Sequence, residues 1–234
     1  MNYGDDFKKY ALSQGIGSGD MHRMGTHLEA NLTPYILEER KMNVTQMDVF
    51  SRLMSDRILW VSGAVNDNMS SIVSAQMMYL DMNNEKDISI YLDSPGGSVK
   101  SGLTMVDVMN YVGSEIVTIN MGMAASMGSI LLGNGTKGKR FSLPHAKVML
   151  HMVSAGVSGH VKDMEIGYEE AKKYNDELFK LLGDYCDKTA EEIKGDADRD
   201  LWLNSRESLE YGIIDGVFTT KDGPPMTRED LAKK

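Results

Sequence analysis

Residues 88–132 run ISIYLDSPGGSVKSGLTMVDVMNYVGSEIVTINMGMAASMGSILL, and they switch between two periodicities. Ile88 to Leu92 is a short apolar run of strand type, Asp93-Ser94-Pro95-Gly96-Gly97 is a turn, and Val99 to Val112 carries apolar residues at helical spacing. A second strand, Ile116 to Met121, and a second helix, Ala124 to Leu132, follow with almost no linker. Strands alternating with helices at these lengths predict right-handed βαβ crossovers and a mainly parallel sheet, hence an α/β fold.

The alternation extends in both directions. Upstream, Val44, Met47, Phe50, Leu53 and Met54 are spaced for a helix, Arg57 to Ser62 is strand-like, and Met69 to Asp81 is helical. Downstream, strands are expected near Lys139 to Leu143 and Lys147 to Met152. Met164, Tyr168, Ala171, Tyr174, Leu178, Leu181 and Tyr185 then mark one long helix from Val161 to Tyr185. At ~1.5 Å per residue it spans roughly 37 Å, so both a long core helix and one that projects to meet another subunit remain open. Thr189 with Glu192 forms a capping box, Asn204 or Ser205 caps a helix ending at Gly212, and a strand from Gly216 to Thr219 follows. Residues 1–32, with Gly15, Gly17 and Gly19, read as a flexible leader or propeptide with at most a short helix at Phe7 to Leu12; 33–219 form the domain, and 220–234 a polar tail with too little apolar content to fold alone.

Composition narrows the function. Apolar residues make up 41% of the 234-residue chain, yet no uninterrupted apolar run approaches the ~18 needed for a membrane span. A formal charge of −9 disfavours phosphate backbones and anionic membranes, which require clustered Lys and Arg. Lys137-Gly138-Lys139-Arg140 is too short to reverse that. Cys186 is the only cysteine, which excludes an intrachain disulfide and fits a reducing compartment. A soluble cytoplasmic protein that binds neither nucleic acid nor membrane is expected. No metal spacing is present, and the glycine turn at 94–97 lacks the phosphate-loop pattern, so no cofactor is expected.

Chemistry concentrates at Met121-Gly122-Met123-Ala124-Ala125-Ser126-Met127-Gly128. Ser126 falls where a strand gives way to a helix, where free N–H groups and the helix dipole favour a developing oxyanion. A serine there is also an ordinary helix cap. A nucleophilic serine needs a base, a carboxylate to orient it and oxyanion donors. His151, at the end of the strand Val148-Met149-Leu150, is the candidate base. Asp200 is the candidate carboxylate, unless it pairs with Arg199. Gly97, in the Ser94-Pro95-Gly96-Gly97 turn, lets backbone approach a substrate closely.

These segments, together with Lys137-Gly138-Lys139-Arg140-Phe141 and Asp198-Arg199-Asp200, closely resemble the Clp protease proteolytic subunit family over about residues 33 to 219. His151 follows Ser126 by 25 residues and Asp200 follows His151 by 49, as in that family. The resemblance implies a crotonase-like fold of repeated βαβ units with a protruding handle helix. It implies Ser126 as nucleophile, His151 as general base then acid, Asp200 as orienting carboxylate, and the N–H groups of Gly97 and Met127 as oxyanion hole. It further implies an endopeptidase acting on unfolded polypeptides within a homo-oligomeric tetradecamer of two stacked seven-membered rings. An AAA+ unfoldase of the ClpX or ClpA/ClpC kind would dock on apolar pockets to which Tyr91, Tyr111, Ile119, Met121, Phe141 and Phe218 contribute.

Three positions depart from the family. Met152-Val153 stands where Gln-Pro is usual after the histidine, and Asp93 stands where asparagine is usual before Ser94. Asp93 either weakens an oxyanion site or caps the turn. A weak or inactive structural subunit of a mixed ring is therefore the alternative, and a crotonase-fold enzyme acting on acyl-CoA thioesters a further one.

Overall fold

The computed structural model describes residues 35–40, 43–82, 86–154, 156, 158–220 and 223–231. The expected leader and its helix at Phe7 to Leu12 lie outside these residues. The chain divides into two units, residues 1–52 and 53–234. The first contains an antiparallel hairpin, β1 (Tyr35–Arg40) and β2 (Asn43–Asp48), in which Tyr35 pairs with Asp48 and Arg40 with Asn43. This corrects the helix expected over Val44 to Met54. Its first half pairs as a strand, and only α1 (Val49–Ser55), which spans the boundary between the units, is helical. Asp48 caps that helix by accepting the Ser51 N–H at 3.0 Å.

The second unit is built on a seven-stranded sheet. β3 (Ile58–Ser62), α2 (Asp67–Asp81), β4 (Ile88–Ser94), α3 (Val99–Tyr111), β5 (Ile116–Ala125), α4 (Met127–Gly133) and β6 (Arg140–Ser142) form successive βαβ units with parallel neighbours. Asn66 and Ser98 cap α2 and α3 by accepting the N–H groups of Met69 and Ser101. Inward-facing Leu59, Val61, Ile88, Ile90 and Leu92 meet Val73 and Met77 of α2 and Met105 and Met109 of α3 in a buried core. Alternation along each strand sends the neighbours of these residues to the other face.

β5 is longer than its apolar run suggested, and its two halves have different partners. Thr118 to Asn120 pair with β6, whereas Met123 to Ala125 pair with β7 (Lys147–Leu150). Across this fork, Asn120 Nδ2 donates to the Lys147 carbonyl at 2.9 Å. β7 also pairs antiparallel with β8 (Leu201–Asn204), a strand that the sequence reading did not anticipate.

After β7, α5 (Val161–Cys186) runs for 26 residues, about 39 Å. Its buried residues are Phe179, Leu182, Gly183 and Cys186, all in the last third, while Val161, Ile166 and Tyr168 are exposed. The last third is therefore core helix, while the N-terminal part leaves apolar side chains exposed. α6 (Ala190–Asp196) carries the Thr189/Glu192 capping box; α7 (Ser205–Tyr211) is capped by Asn204 with Glu207 and ends at Gly212 in the left-handed region. β9 (Gly216–Val217) pairs with β6. The polar tail docks where it is described: Met226 bridges Val217, α8 (Arg228–Leu231) follows, and Arg228 Nε donates to the Leu209 carbonyl at 2.8 Å. Among the described residues no helix is long and apolar enough to cross a membrane.

Cys186 is buried at the end of α5, and burial pushes its thiol up to about 12. The thiolate is the reactive form, so iodoacetamide near pH 8 is expected to leave Cys186 unmodified for about an hour in the folded protein and to alkylate it fully in urea. Intact mass distinguishes these outcomes.

Candidate active site

Ser126 occupies a one-residue turn between β5 and α4. Its backbone has φ 54° and ψ −123°, a region that costs a non-glycine residue energy and persists only where the surroundings enforce it. Two contacts do so. The Ser126 N–H donates to the Met149 carbonyl at 2.9 Å, extending the β5–β7 pairing, and the Ser129 N–H and hydroxyl both bond the Ser126 carbonyl. Next along the chain, the Met127 side chain is buried against Gly102 of α3, so tightly that a Cβ on Gly102 would fall 2.2 Å from Met127 Cγ.

The helix therefore starts at Met127 and not at Ala124, because Ala124 and Ala125 pair with Val148 and Met149. Ser126 stands at the cap position, yet its side chain makes no capping bond. Its hydroxyl instead lies 2.7 Å from His151 Nε2. The helix-cap alternative for this serine thus fails on geometry.

Strand register explains how His151 arrives. Leu150 on β7 pairs with Leu201 on β8, so the next residues outward, His151 and Asp200, come side by side. His151 Nδ1 and Asp200 Oδ1 are 3.6 Å apart, with the histidine side chain 27% exposed and the aspartate 60%. Such orienting contacts are commonly long before substrate binds. Arg199 makes no ion pair with Asp200 among the described residues.

The glycine turn lies against the serine. A Cβ on Gly96 would fall 2.6 Å from Ser126 Cβ and 2.9 Å from the Met127 nitrogen. Gly97, at φ +149°, bridges Val65, and a Cβ there would fall 2.3 Å from the Val65 carbonyl oxygen. Both positions therefore require glycine. Ser94, which sequence reasoning passed over, holds the turn: its buried hydroxyl donates to the Gly63 carbonyl at 2.6 Å and accepts the Gly96 N–H at 3.1 Å. The Gly97 N–H has no hydrogen bond among the described residues. Met127, first in its helix, has an N–H with no intrahelical acceptor.

Asp93 does not cap the 93–97 turn, whose Gly96 N–H goes to Ser94; its carboxylate reaches across to β5. Its Oδ1 accepts the Met123 N–H at 3.0 Å where the β4–β5 register shifts, and Gly122 lies so close that a Cβ would come 2.8 Å from that oxygen. No group of His, Cys, Asp and Glu among the described residues could hold a metal ion.

The candidate docking residues divide. Tyr91, Ile119 and Phe141 form one row across β4, β5 and β6, with Trp60 before them and Gly216 after. Tyr91, Ile119 and Phe218 line a pocket of about 490 Å³ together with Leu143, Pro144, Thr219 and Thr220. Phe141 packs on Phe218 with ring centres 4.5 Å apart, and Met121 lies two residues beyond Ile119 on the same strand. Tyr111 does not join them. It ends α3, in the helical layer, and is 80% exposed.

The family model described as Clp protease matches residues 40–221. The chain belongs to the Clp protease family. Among similar proteins, an ATP-dependent Clp protease proteolytic subunit from Porphyromonas gingivalis is 44% identical over 92% of this chain and 97% of its own length. Proteins of the same description from Bacteroides fragilis and Streptococcus uberis are 44% and 42% identical, covering 93% and 82% of this chain and 100% and 99% of their own lengths. Family membership accounts for the α/β architecture of parallel βαβ units.

Proposed function

We propose that this protein is a serine endopeptidase that cleaves unfolded polypeptides with Ser126, His151 and Asp200. The observation that carries the proposal is the 2.7 Å contact between the Ser126 hydroxyl, held at a strained turn, and His151 Nε2. Ser126 Oγ attacks the scissile carbonyl carbon as His151 Nε2 takes the hydroxyl proton. Asp200 orients the imidazole and stabilises the imidazolium. The N–H groups of Gly97 and Met127 hold the tetrahedral oxyanion, a donor set worth about 10²–10³ in rate for each member. His151 then returns its proton to the leaving amine, and water, deprotonated by the same histidine, releases the acyl group.

The relatives' description as proteolytic subunits of an ATP-dependent protease, together with exposed apolar surface, supports an assembled particle. Two stacked heptameric rings would enclose the sites, with exposed Val161, Ile166 and Tyr168 of α5 available for contacts between subunits. An ATP-driven unfoldase would dock at the pocket of Tyr91, Ile119 and Phe218, and the complex would work in the cytoplasm. ATP belongs to that partner; cleavage by the triad requires neither nucleotide nor metal. The Ser126 hydroxyl weighs against an inactive structural subunit, because it meets His151 and makes no capping bond.

The test is intact-mass analysis after a serine-directed fluorophosphonate, with particle size measured on the same sample. A single adduct per chain is expected, absent from Ser126→Ala. No adduct on a fully assembled particle would overturn the proposal.

A further inference from the structure

The chain leaving His151 has little to hold it. β7 ends at Leu150, and beyond it Met152, Val153 and Ser154 belong to no helix or strand. Among the described residues these three make one hydrogen bond: the Val153 N–H donates to Asn175 Oδ1 of α5 at 3.0 Å. This donor exists because position 153 is valine; a proline there would have no N–H to give. The acceptor stands in the half-buried middle of α5, between the packed C-terminal third and the exposed N-terminal part. Only Met152 separates this bond from His151, whose ring is otherwise fixed by the Ser126 hydroxyl and by a distant, exposed Asp200.

We infer that Asn175 is a positioning residue for His151: its bond to the Val153 N–H fixes the backbone after the base and links the long helix to the serine–histidine contact. The inference rests on the proposed serine-protease reading. A small displacement of a catalytic group can cost up to about 10²-fold in rate, so a single backbone tether beside a general base has leverage on turnover. A tether acting only on alignment lowers kcat and leaves KM in place.

The experiment compares peptide cleavage by wild type, Asn175→Leu, Asn175→Asp, Val153→Pro and Val153→Pro/Asn175→Leu. Particle size and the rate of fluorophosphonate labelling are recorded for each. Asn175→Leu is expected to lower kcat and the labelling rate together by about tenfold, with KM within about twofold. Asn175→Asp keeps an acceptor and is expected to recover most of the loss. In the Val153→Pro background the N–H is already gone, so adding Asn175→Leu is expected to change nothing, the signature of a shared interaction. Asn175→Leu at the wild-type rate overturns the inference, and so does an equal loss on the proline background or a loss that follows particle size. Wild type that neither labels nor cleaves would instead reject the protease reading.

Discussion

His151→Ala is expected to lower kcat for peptide cleavage by about 10⁶-fold, about as much as Ser126→Ala, with the double variant losing no more. The reason is that the two side chains form one device. The serine hydroxyl has no nucleophilicity at neutral pH until a base takes its proton, and among the described residues the base in contact with it is His151, at 2.7 Å. Asp200→Ala should cost less, because this carboxylate touches no reacting atom and stands 3.6 Å from the imidazole. Residual activity in all these variants would come from the Gly97 and Met127 donors and from substrate binding. Single-turnover kinetics at saturating substrate checks the series. Additive losses for Ser126→Ala and His151→Ala would show that they act separately and would remove the basis for the mechanism.

Arg140→Ala is expected to destabilise the protein by about 3–5 kcal/mol without touching the site. The Arg140 side chain is 3% exposed and grips Asp215 in two hydrogen bonds, Nε to Oδ2 at 2.8 Å and Nη2 to Oδ1 at 2.6 Å. Its Nη1 also donates to the Tyr185 carbonyl at 2.8 Å, so one guanidinium ties β6, the approach to β9 and the last turn of α5. Asp215 receives the N–H groups of Gly138 and Arg140 as well. Removing the arginine leaves a largely buried carboxylate with two backbone donors and no countercharge. Burial alone would raise the Asp215 pKa, but Arg140 and these N–H groups outweigh it and hold the carboxyl below its usual range. A depressed folded-state pKa contributes stability that is fully present above the unfolded value of about 4 and disappears as pH falls through the folded value. The gap between wild type and Arg140→Ala should therefore be wide at neutral pH and narrow in acid below about pH 4. Urea unfolding at fixed protein concentration across that range measures it, and a gap independent of pH would show that Asp215 is not the group responsible.

Local patterns carried much of this architecture. The capping box of α6 was legible, and the cap of α7 to within one residue, because a cap is an exchange of hydrogen bonds within four residues. The βαβ sequence from Ile88 onward was legible for the same kind of reason, since periodicity reports which face is buried. Val44 and Met47 misled because their apolar spacing suits a helix, while the pairing that makes them part of a strand lies with Tyr35 to Arg40. Ala124 and Ala125 misled likewise, as small residues accept either backbone and β7 settles the matter.

The sequence by itself determined the chemical inventory: a serine at a strand-to-helix junction, a histidine at a strand end, an aspartate beside Leu201, glycines at a turn, and the resemblance that assigned them roles. It did not determine their meeting. Ser126 bonds the Met149 carbonyl, and Leu150 pairs with Leu201 across the unanticipated strand β8, so the approach of His151 to both Ser126 and Asp200 is set by ladder register. Nor did it disclose that Asn175 answers the Val153 N–H. Side-chain identity and local periodicity are properties of neighbours in the chain, whereas register and tethering join residues tens of positions apart, and only the packed structure brings those together.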